Sequence, residues 1–225
     1  MELLSVNVGR PKAVEYSDAP AGTGIDKQPV EGPVRVTAPG PKGVSGSGLA
    51  GDAICDLRHH GGYDQAVYAY AREDLDVWER ELGRPLSCGV FGENLTTSGV
   101  DVNGAKIGER WRIGPDLVLE VTSGRIPCRT FQGHLDEKGW MKRFTRQCAP
   151  GAYLRVIEPG EIRAGDTVEI VRRPEHEVTV ALYFRAVTTE QELLPRLLAA
   201  GDALHPEATE RAHTYVAKYA QHSGH

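Results

Sequence analysis

The chain has 225 residues and a net charge of −5, with 40% hydrophobic and 25% charged side chains. This length suits one medium-sized domain that forms its own core, and the composition is ordinary for a globular protein. A mildly acidic chain is not expected to coat nucleic acid or an anionic membrane. The 26 glycines and 14 prolines favour a turn-rich, mainly β structure over a helical bundle.

The sequence also indicates where the protein resides. We find no segment that is apolar for long enough to span a bilayer, and the first residues lack the parts of a signal peptide. The four cysteines show no C-x-x-C spacing, which argues against a zinc finger or a thioredoxin-like pair. We therefore expect a soluble, cytoplasmic protein with reduced thiols.

Short strands are predicted over much of the chain, where alternating or β-branched apolar residues stand between turn residues. A glycine- and proline-rich segment at 38–51 predicts a long loop, and such a loop inside a domain is usually functional or mobile. The predicted strands are 3–8, 30–37, 66–70, 110–113, 117–122, 153–157 and 167–171.

Helices are predicted between and after these strands. The segment 72–82 carries apolar residues on one face and acidic residues in its first turn, and Gly83 can end it. A second helix is predicted over 136–146, although Gly139 weakens it. The composition changes near residue 173, and we place a domain boundary there. Beyond it, 191–200 and 207–220 are predicted helices, while 178–187 suits either a strand or a helix.

Cys128 has an unusual setting. Pro127 precedes it, and Arg125 and Arg129 flank it. Positive charge lowers the pKa of a thiol, and the thiolate is both a nucleophile and a ligand for soft or high-valent metals. The alternative is a buried, inert cysteine whose arginines only solvate the surface. Further basic residues follow at Lys138, Lys142, Arg143 and Arg146.

The polar segment 51–64 is a second candidate. His60 is followed by two glycines, which allow a backbone to approach a ligand closely. The alternative is a hydrogen-bonded turn that Asp52, Asp56 and Asp64 stabilise. A cysteine-hydrolase dyad of Cys128 with a histidine of this segment is also conceivable.

Two weaker motifs are also present. Glu93 and Asn94 offer an acid or base and an amide, but a simple turn at a strand entry explains them equally well. The segment 46–51 matches G-x-G-x-x-G. A phosphate-binding loop of that type needs a strand before it and a helix after it, and neither is predicted here.

Taken in order, these motifs resemble MOSC-domain proteins, specifically the YiiM-like branch. The resemblance covers about residues 1–172, and the tail from about 175 resembles the small helical appendage of that branch. The chain departs from the family at three positions: Ile54 stands where Gln is common, Cys55 where a small residue is common, and Gly124 where Pro is common. We expect these differences to affect substrate specificity. The matching motifs are 24–30, 51–56, 60–70, 91–95, 107–110 and 125–128.

The resemblance implies a mainly β (α+β) fold, with a β-barrel-like domain at 1–172 and a C-terminal three-helix appendage at 173–225. It also implies a pterin-based molybdenum cofactor, molybdopterin, whose metal takes the sulfur of Cys128. Relatives reduce N-hydroxylated compounds, such as amidoximes and N-hydroxylated nucleobases. In that reaction two electrons are consumed, the N–O bond breaks and water leaves.

Further site residues follow from this interpretation. The cofactor phosphate requires positive charge, and guanidinium groups bind phosphate in a bidentate manner. His60 and Asn94 would orient the oxo or hydroxyl group of the substrate. The side chains expected to bind the cofactor are Lys27, Arg125 and Arg129.

Partners follow from the same chemistry. The sequence shows no recognisable site for flavin, haem or NAD, so electrons must come from a separate donor protein, which could dock on the helical tail. The implied reaction requires no pyridoxal phosphate, nucleic acid polymer or membrane, and the oligomeric state is open, with a homodimer as one option. Two other interpretations remain. One is a non-catalytic carrier of sulfur or molybdenum cofactor that uses Cys128, and the other is a binding protein with an inert thiol.

Overall fold

The computed structural model describes residues 1–220, which form ten strands and six α-helices. The strands are β1 (Glu2–Gly9), β2 (Lys27–Pro29), β3 (Val34–Val36), β4 (Val67–Ala71), β5 (Leu95–Ser98), β6 (Arg110–Ile113), β7 (Leu117–Gly124), β8 (Ala152–Glu158), β9 (Gly160–Ile162) and β10 (Val168–Arg172). The helices are α1 (Arg72–Leu82), α2 (Arg129–Leu135), α3 (Trp140–Gln147), α4 (Val180–Thr188), α5 (Leu194–Leu197) and α6 (Pro206–Ala220). No helix among residues 1–220 is long and apolar enough to cross a membrane.

Eight strands form one mixed sheet in the order β10-β6-β7-β8-β4-β5-β1-β2, and β3 pairs with β9. The first and last strands of the chain also meet: the amide of Leu3 donates to the Asp166 carbonyl at 2.9 Å, and the amide of Gly165 donates to the Leu3 carbonyl at 2.8 Å. The sheet is therefore curled, so that β1 comes close to the segment before β10, but the two edges are not joined by a continuous ladder of strand hydrogen bonds. The mainly β (α+β) class is confirmed, and the sheet is barrel-like rather than a closed barrel.

Local sequence signals predicted α1 well. Leu75 and Trp78 are fully buried on its inner face, and Gly83 ends it in the left-handed conformation, with φ of 67°. The amide of Gly83 donates to the Glu79 carbonyl at 2.9 Å, which satisfies a carbonyl that the helix itself leaves free.

The helix predicted over 136–146 is wrong in its first part. Asp136 ends α2 and Gly139 precedes α3, and both have left-handed backbone angles, so the chain turns between the two helices. The helix α2 was missed altogether. It contains Gly133, which lies against the ring of Tyr16 where a Cβ would clash. Tertiary packing therefore outweighs the low helix propensity of glycine here.

Other boundaries also differ from the predictions. The strand predicted over 30–37 shrinks to β3, the ambiguous segment 178–187 is largely the helix α4, and α6 confirms the helix predicted over 207–220. The helix predicted over 191–200 is broken, since α5 covers only Leu194–Leu197 between two 3₁₀ turns.

The tail packs on the sheet rather than standing apart from it. Val178 and Val180 are fully buried in the same core as the strands, and the ring of Phe184 lies 6.3 Å from that of Phe144. The division of the chain into two domains at residue 173 stays a prediction. The last residues of the predicted appendage, 221–225, lie outside the described part of the chain. Deleting 174–225 would expose this core, so a deletion cannot isolate a docking role of the tail.

Candidate functional site

A cavity of about 550 Å³ opens beside the end of β7. This volume lies within the range of roughly 300–1,000 Å³ that is typical of small-molecule and cofactor sites. The linker from β7 to α2 places Cys128 on its wall, and the thiol is half-buried. All six residues predicted from the sequence line this cavity, namely Lys27, His60, Asn94, Arg125, Cys128 and Arg129.

Arg125 is the most unusual of these residues, because it is only 5% exposed. Its guanidinium carbon lies 4.2 Å from the ring centre of Phe131 and 5.1 Å from that of Tyr68, and Nη1 donates to the Phe91 carbonyl. Its Nε is buried and has no hydrogen-bond partner among the described residues. Burial lowers the pKa of Arg125, but Tyr153, Tyr68 and Cys128 raise it and prevail.

The other cations of the wall each pair with a carboxylate. Lys42 lies 2.7 Å from Glu207, and Arg58 lies 2.9 Å from Asp56. Lys27 is buried and pairs with Asp52, and Arg129 is exposed and lies 3.6 Å from Asp18. Within residues 1–220, Arg125 is the lining cation that has no carboxylate at ion-pair distance. An unpaired buried cation is costly, and an anionic ligand would relieve that cost.

His60 is neutral at pH 7. Burial, and secondarily the positive charge of Arg125, lower its pKa from 6.5 to about 4. A neutral imidazole offers one donor and one acceptor to a bound ligand.

The pKa of His60 predicts a pH-dependent stability. Because the unfolded chain binds the proton near pH 6.5 and the folded protein only near pH 4, stability should be full above about pH 6.5 and should fall toward pH 4. The loss should be about 2 kcal/mol, after allowance for partial exposure to solvent. Urea unfolding at pH 7 and at pH 4.5 measures it, and His60→Gln should lose correspondingly less than the wild type. If the wild type and His60→Gln lost the same unfolding free energy between pH 7 and pH 4.5, the lowered pKa of His60 would be contradicted.

Asn94 is engaged by the fold rather than free for a ligand. Its Oδ1 accepts from the Tyr68 amide at 3.1 Å, and its Nδ2 donates to Asp52 at 2.9 Å and to the Asn7 carbonyl at 3.3 Å. This geometry does not favour the predicted role of Asn94 in orienting substrate. The residue instead holds β1, β4 and Asp52 together, and Asp52 in turn pairs with Lys27.

Glu93 supports the wall from behind. It is fully buried, lies outside the lining, and accepts from the amides of Gly89 and Phe91 and from the Thr96 hydroxyl. Burial raises its pKa, although these hydrogen bonds oppose the shift. Glu93 therefore fixes the turn that offers the Phe91 carbonyl to Arg125, and it is no acid or base of the site.

Replacing Glu93 with alanine should consequently cost about 3 kcal/mol of unfolding free energy, because buried amides would lose their acceptors. Denaturant unfolding measures this loss. Glu93→Gln should cost less, since it keeps an acceptor, and Glu31→Ala at an exposed position should change stability by less than about 0.5 kcal/mol. A loss of that small size for Glu93→Ala would contradict the structural role.

Several lining residues were missed from the sequence. Tyr68 and Tyr153 stand with ring centres 5.1 Å apart, and the tail supplies Tyr183 and His205. The strand pattern around Tyr68 could have indicated an inward-facing ring. No local signal could have shown that His205 reaches this cavity, because the contact joins distant parts of the chain.

These features fit an anionic pterin cofactor that carries a soft metal. In the described part of the chain, five Lys and Arg side chains and three carboxylates line the cavity. Arg125, the one of these cations without a carboxylate partner there, is buried. Cys128 is a suitable sulfur ligand, and Nε of Arg125 is a donor that has no acceptor among residues 1–220. Lys27, Lys42 and Arg129 surround the same space.

Comparison with known proteins identifies the family. The family model described as MOSC domain matches residues 56–169. "Uncharacterized protein YflK" of Bacillus subtilis is 33% identical over 178 residues, which cover 79% of this chain and 76% of that protein. The crystal structure of YiiM from Geobacillus stearothermophilus aligns with a TM-score of 0.75 and 27% identity, over 95% of this chain and 97% of that chain. The chain therefore belongs to the MOSC domain family. Within that family it is YiiM-like.

A further relative differs in length. "Reductase" of Gibberella moniliformis is 31% identical over 175 residues, which cover 76% of this chain but 29% of that protein. The region similar to this chain is thus one part of a much longer protein.

Proposed function

We propose that this protein is a molybdenum cofactor-dependent reductase of N-hydroxylated compounds. The observation that carries the proposal is the pairing, in one cavity, of the Cys128 thiol with the buried and uncompensated Arg125. A cofactor with an anionic pterin and a thiophilic metal would satisfy both groups. Membership of the MOSC family and the similarity to a protein named "Reductase" support the same class of chemistry.

In this proposal the chain's residues bind and orient the cofactor. Cys128 would supply sulfur to the metal, and Arg125 would donate hydrogen bonds and positive charge to the anionic cofactor. Lys42 and Arg129 lie nearer to solvent and can exchange their carboxylate partners for the cofactor phosphate. The cofactor, when bound, supplies the two-electron reduction that cleaves the N–O bond.

His60 is the residue best placed to contact the substrate. It lies on the cavity wall, and burial together with the positive charge of Arg125 lowers its pKa to about 4, so its imidazole is neutral. A neutral imidazole can donate to the hydroxylamine oxygen, which becomes water when two protons and two electrons are consumed. Asn94 has no place in this step because its amide is engaged elsewhere.

The test is to purify the full chain from a host that makes the cofactor, and to measure molybdenum and pterin per protein. Turnover of an amidoxime and of an N-hydroxylated purine is then followed with dithionite as the reductant. We expect a metal ratio near one and reduction of at least one substrate. Bound cofactor without turnover, but with transfer to a cofactor-free molybdoenzyme, would favour the carrier alternative. A persulfide on Cys128 without metal would favour the sulfur carrier.

A further inference from the structure

A second recess lies on the other side of the Cys128 linker. Ile126 and Pro127 line both the recess and the main cavity, so this short segment is the wall between them. The remaining lining comes mainly from α3 and the C-terminal end of α4. A molecule seated in the recess would be separated from the Cys128 cavity by two residues.

The rim of this recess is strongly basic. Lys142 and Arg146 line the recess from one side of α3, and Lys138 precedes them in the sequence at the same interval of four residues. All three side chains are exposed. Within residues 1–220, none of the three has a carboxylate at ion-pair distance. The helix α3 contains no acidic residue at all. This concentration of positive charge contrasts with the net charge of −5 of the chain.

The recess also has an apolar part, formed by Ile126, Pro127 and Met141 beside Lys142 and Arg146. The side chain of Ile126 is 48% exposed, although its neighbours Arg125 and Pro127 are better covered. An exposed apolar centre within a charged rim is the usual anatomy of a protein interface, and the rim charges attract and orient the partner.

We propose that the α3 face, defined as Ile126, Lys138, Lys142 and Arg146, docks an acidic electron-carrier protein. The inference rests on the proposed function, since a reductase whose sequence shows no recognisable site for flavin, haem or NAD needs an external donor. The docked carrier is oxidised, and its electrons cross the wall at Ile126–Pro127 toward Cys128. Two electrons from the carrier and two protons from solvent convert the N–OH group to N–H and water. The α3 face replaces the helical tail as the expected docking site.

Double charge reversal tests this assignment. The variant is Lys142→Glu with Arg146→Glu, and its matched control is Arg35→Glu with Arg112→Glu, two exposed arginines on β3 and β6. Reduced [2Fe–2S] ferredoxin and reduced flavodoxin serve as acidic probes, and dithionite serves as the small reductant. For at least one carrier we expect the variant to raise KM at least about tenfold at low ionic strength. Its rate with dithionite and the KM of the control should be unchanged.

Direct binding separates this proposal from the proposed function. Calorimetric titration of each carrier into the full chain needs no turnover, so binding that the variant abolishes and the control keeps supports the α3 face even if no N–OH compound is reduced. The wild-type affinity should fall as salt rises from 20 to about 200 mM, because the rim charges are screened. The assignment of the α3 face as the docking site would be wrong if neither carrier binds the wild type, or if variant and control bind the carriers equally. It would also be wrong if anionic lipid vesicles bind in place of the carriers.

Discussion

Replacing Cys128 with serine is expected to remove most of the molybdenum from the purified protein and to abolish reduction of N-hydroxylated compounds. A serine hydroxyl ionises far less readily than a thiol, so at neutral pH the variant offers a protonated oxygen in place of the thiolate ligand. Even residues that only orient a ligand change metal affinity by about 10–100-fold, so loss of the ligand itself should lower the metal content to about a tenth or less. Metal analysis and turnover with dithionite measure both effects.

The matched control is Cys88→Ser, a half-buried cysteine outside the cavity lining. It should retain metal and activity, and both variants should unfold within about 1 kcal/mol of the wild type when cofactor-free. If Cys128→Ser retained the metal, Cys128 would not be the protein ligand of the molybdenum. If the variant also kept its activity, the proposed mechanism would be wrong as well.

The sequence predicted those features of the site that local patterns encode. The arginines beside Cys128 indicated a cationic thiol site, and the polar, glycine-rich segment around His60 indicated a ligand-facing wall; both line the cavity. Equally, α1 followed from its apolar face and Gly83, because helix faces and caps depend on residues within one or two turns.

What the sequence missed depends on contacts between distant segments. Asn94 has the composition of a substrate-binding residue, but Asp52 and Tyr68 engage its amide. His205 lines the cavity from a tail that the sequence placed outside the domain. The charge state of the wall was also hidden, since three of its five cations have carboxylate partners that only the fold brings close, namely Lys27, Lys42 and Arg129. The fourth pair, Arg58 with Asp56, is local in the sequence.

Arg125 is expected to be unfavourable for the stability of the fold but favourable for cofactor binding. In the cofactor-free protein it is a buried cation that has, among the described residues, no partner for its Nε and no carboxylate at ion-pair distance, which is an unfavourable state. Replacing it with methionine removes this cost but forfeits the cation–π contacts, worth about 1–2 kcal/mol, and the bond to the Phe91 carbonyl, worth about 1–3 kcal/mol. The terms nearly cancel, so the unfolding free energy of the cofactor-free protein should change by less than about 2 kcal/mol.

The same substitution should lower cofactor retention about 100-fold, because a charge-assisted donor to the anionic cofactor is lost in a water-poor site. The pKa of His60 provides a readout that needs neither cofactor nor turnover. Arg125 is the second cause, after burial, of the lowering of that pKa to about 4, so Arg125→Met should raise it, as an NMR titration of the imidazole would show.

Arg129→Met separates the buried charge from the general basicity of the wall. The Arg129 side chain is 77% exposed, and its Nη1 lies 3.6 Å from Asp18. Its loss should therefore change stability by less than about 0.5 kcal/mol and weaken cofactor retention far less than Arg125→Met. Equal losses of retention would mean that the wall attracts the cofactor by total charge alone. A loss of several kcal/mol of stability in Arg125→Met would mean that Arg125 is a structural cation, and the buried positive charge would then no longer indicate an anionic ligand beside Cys128.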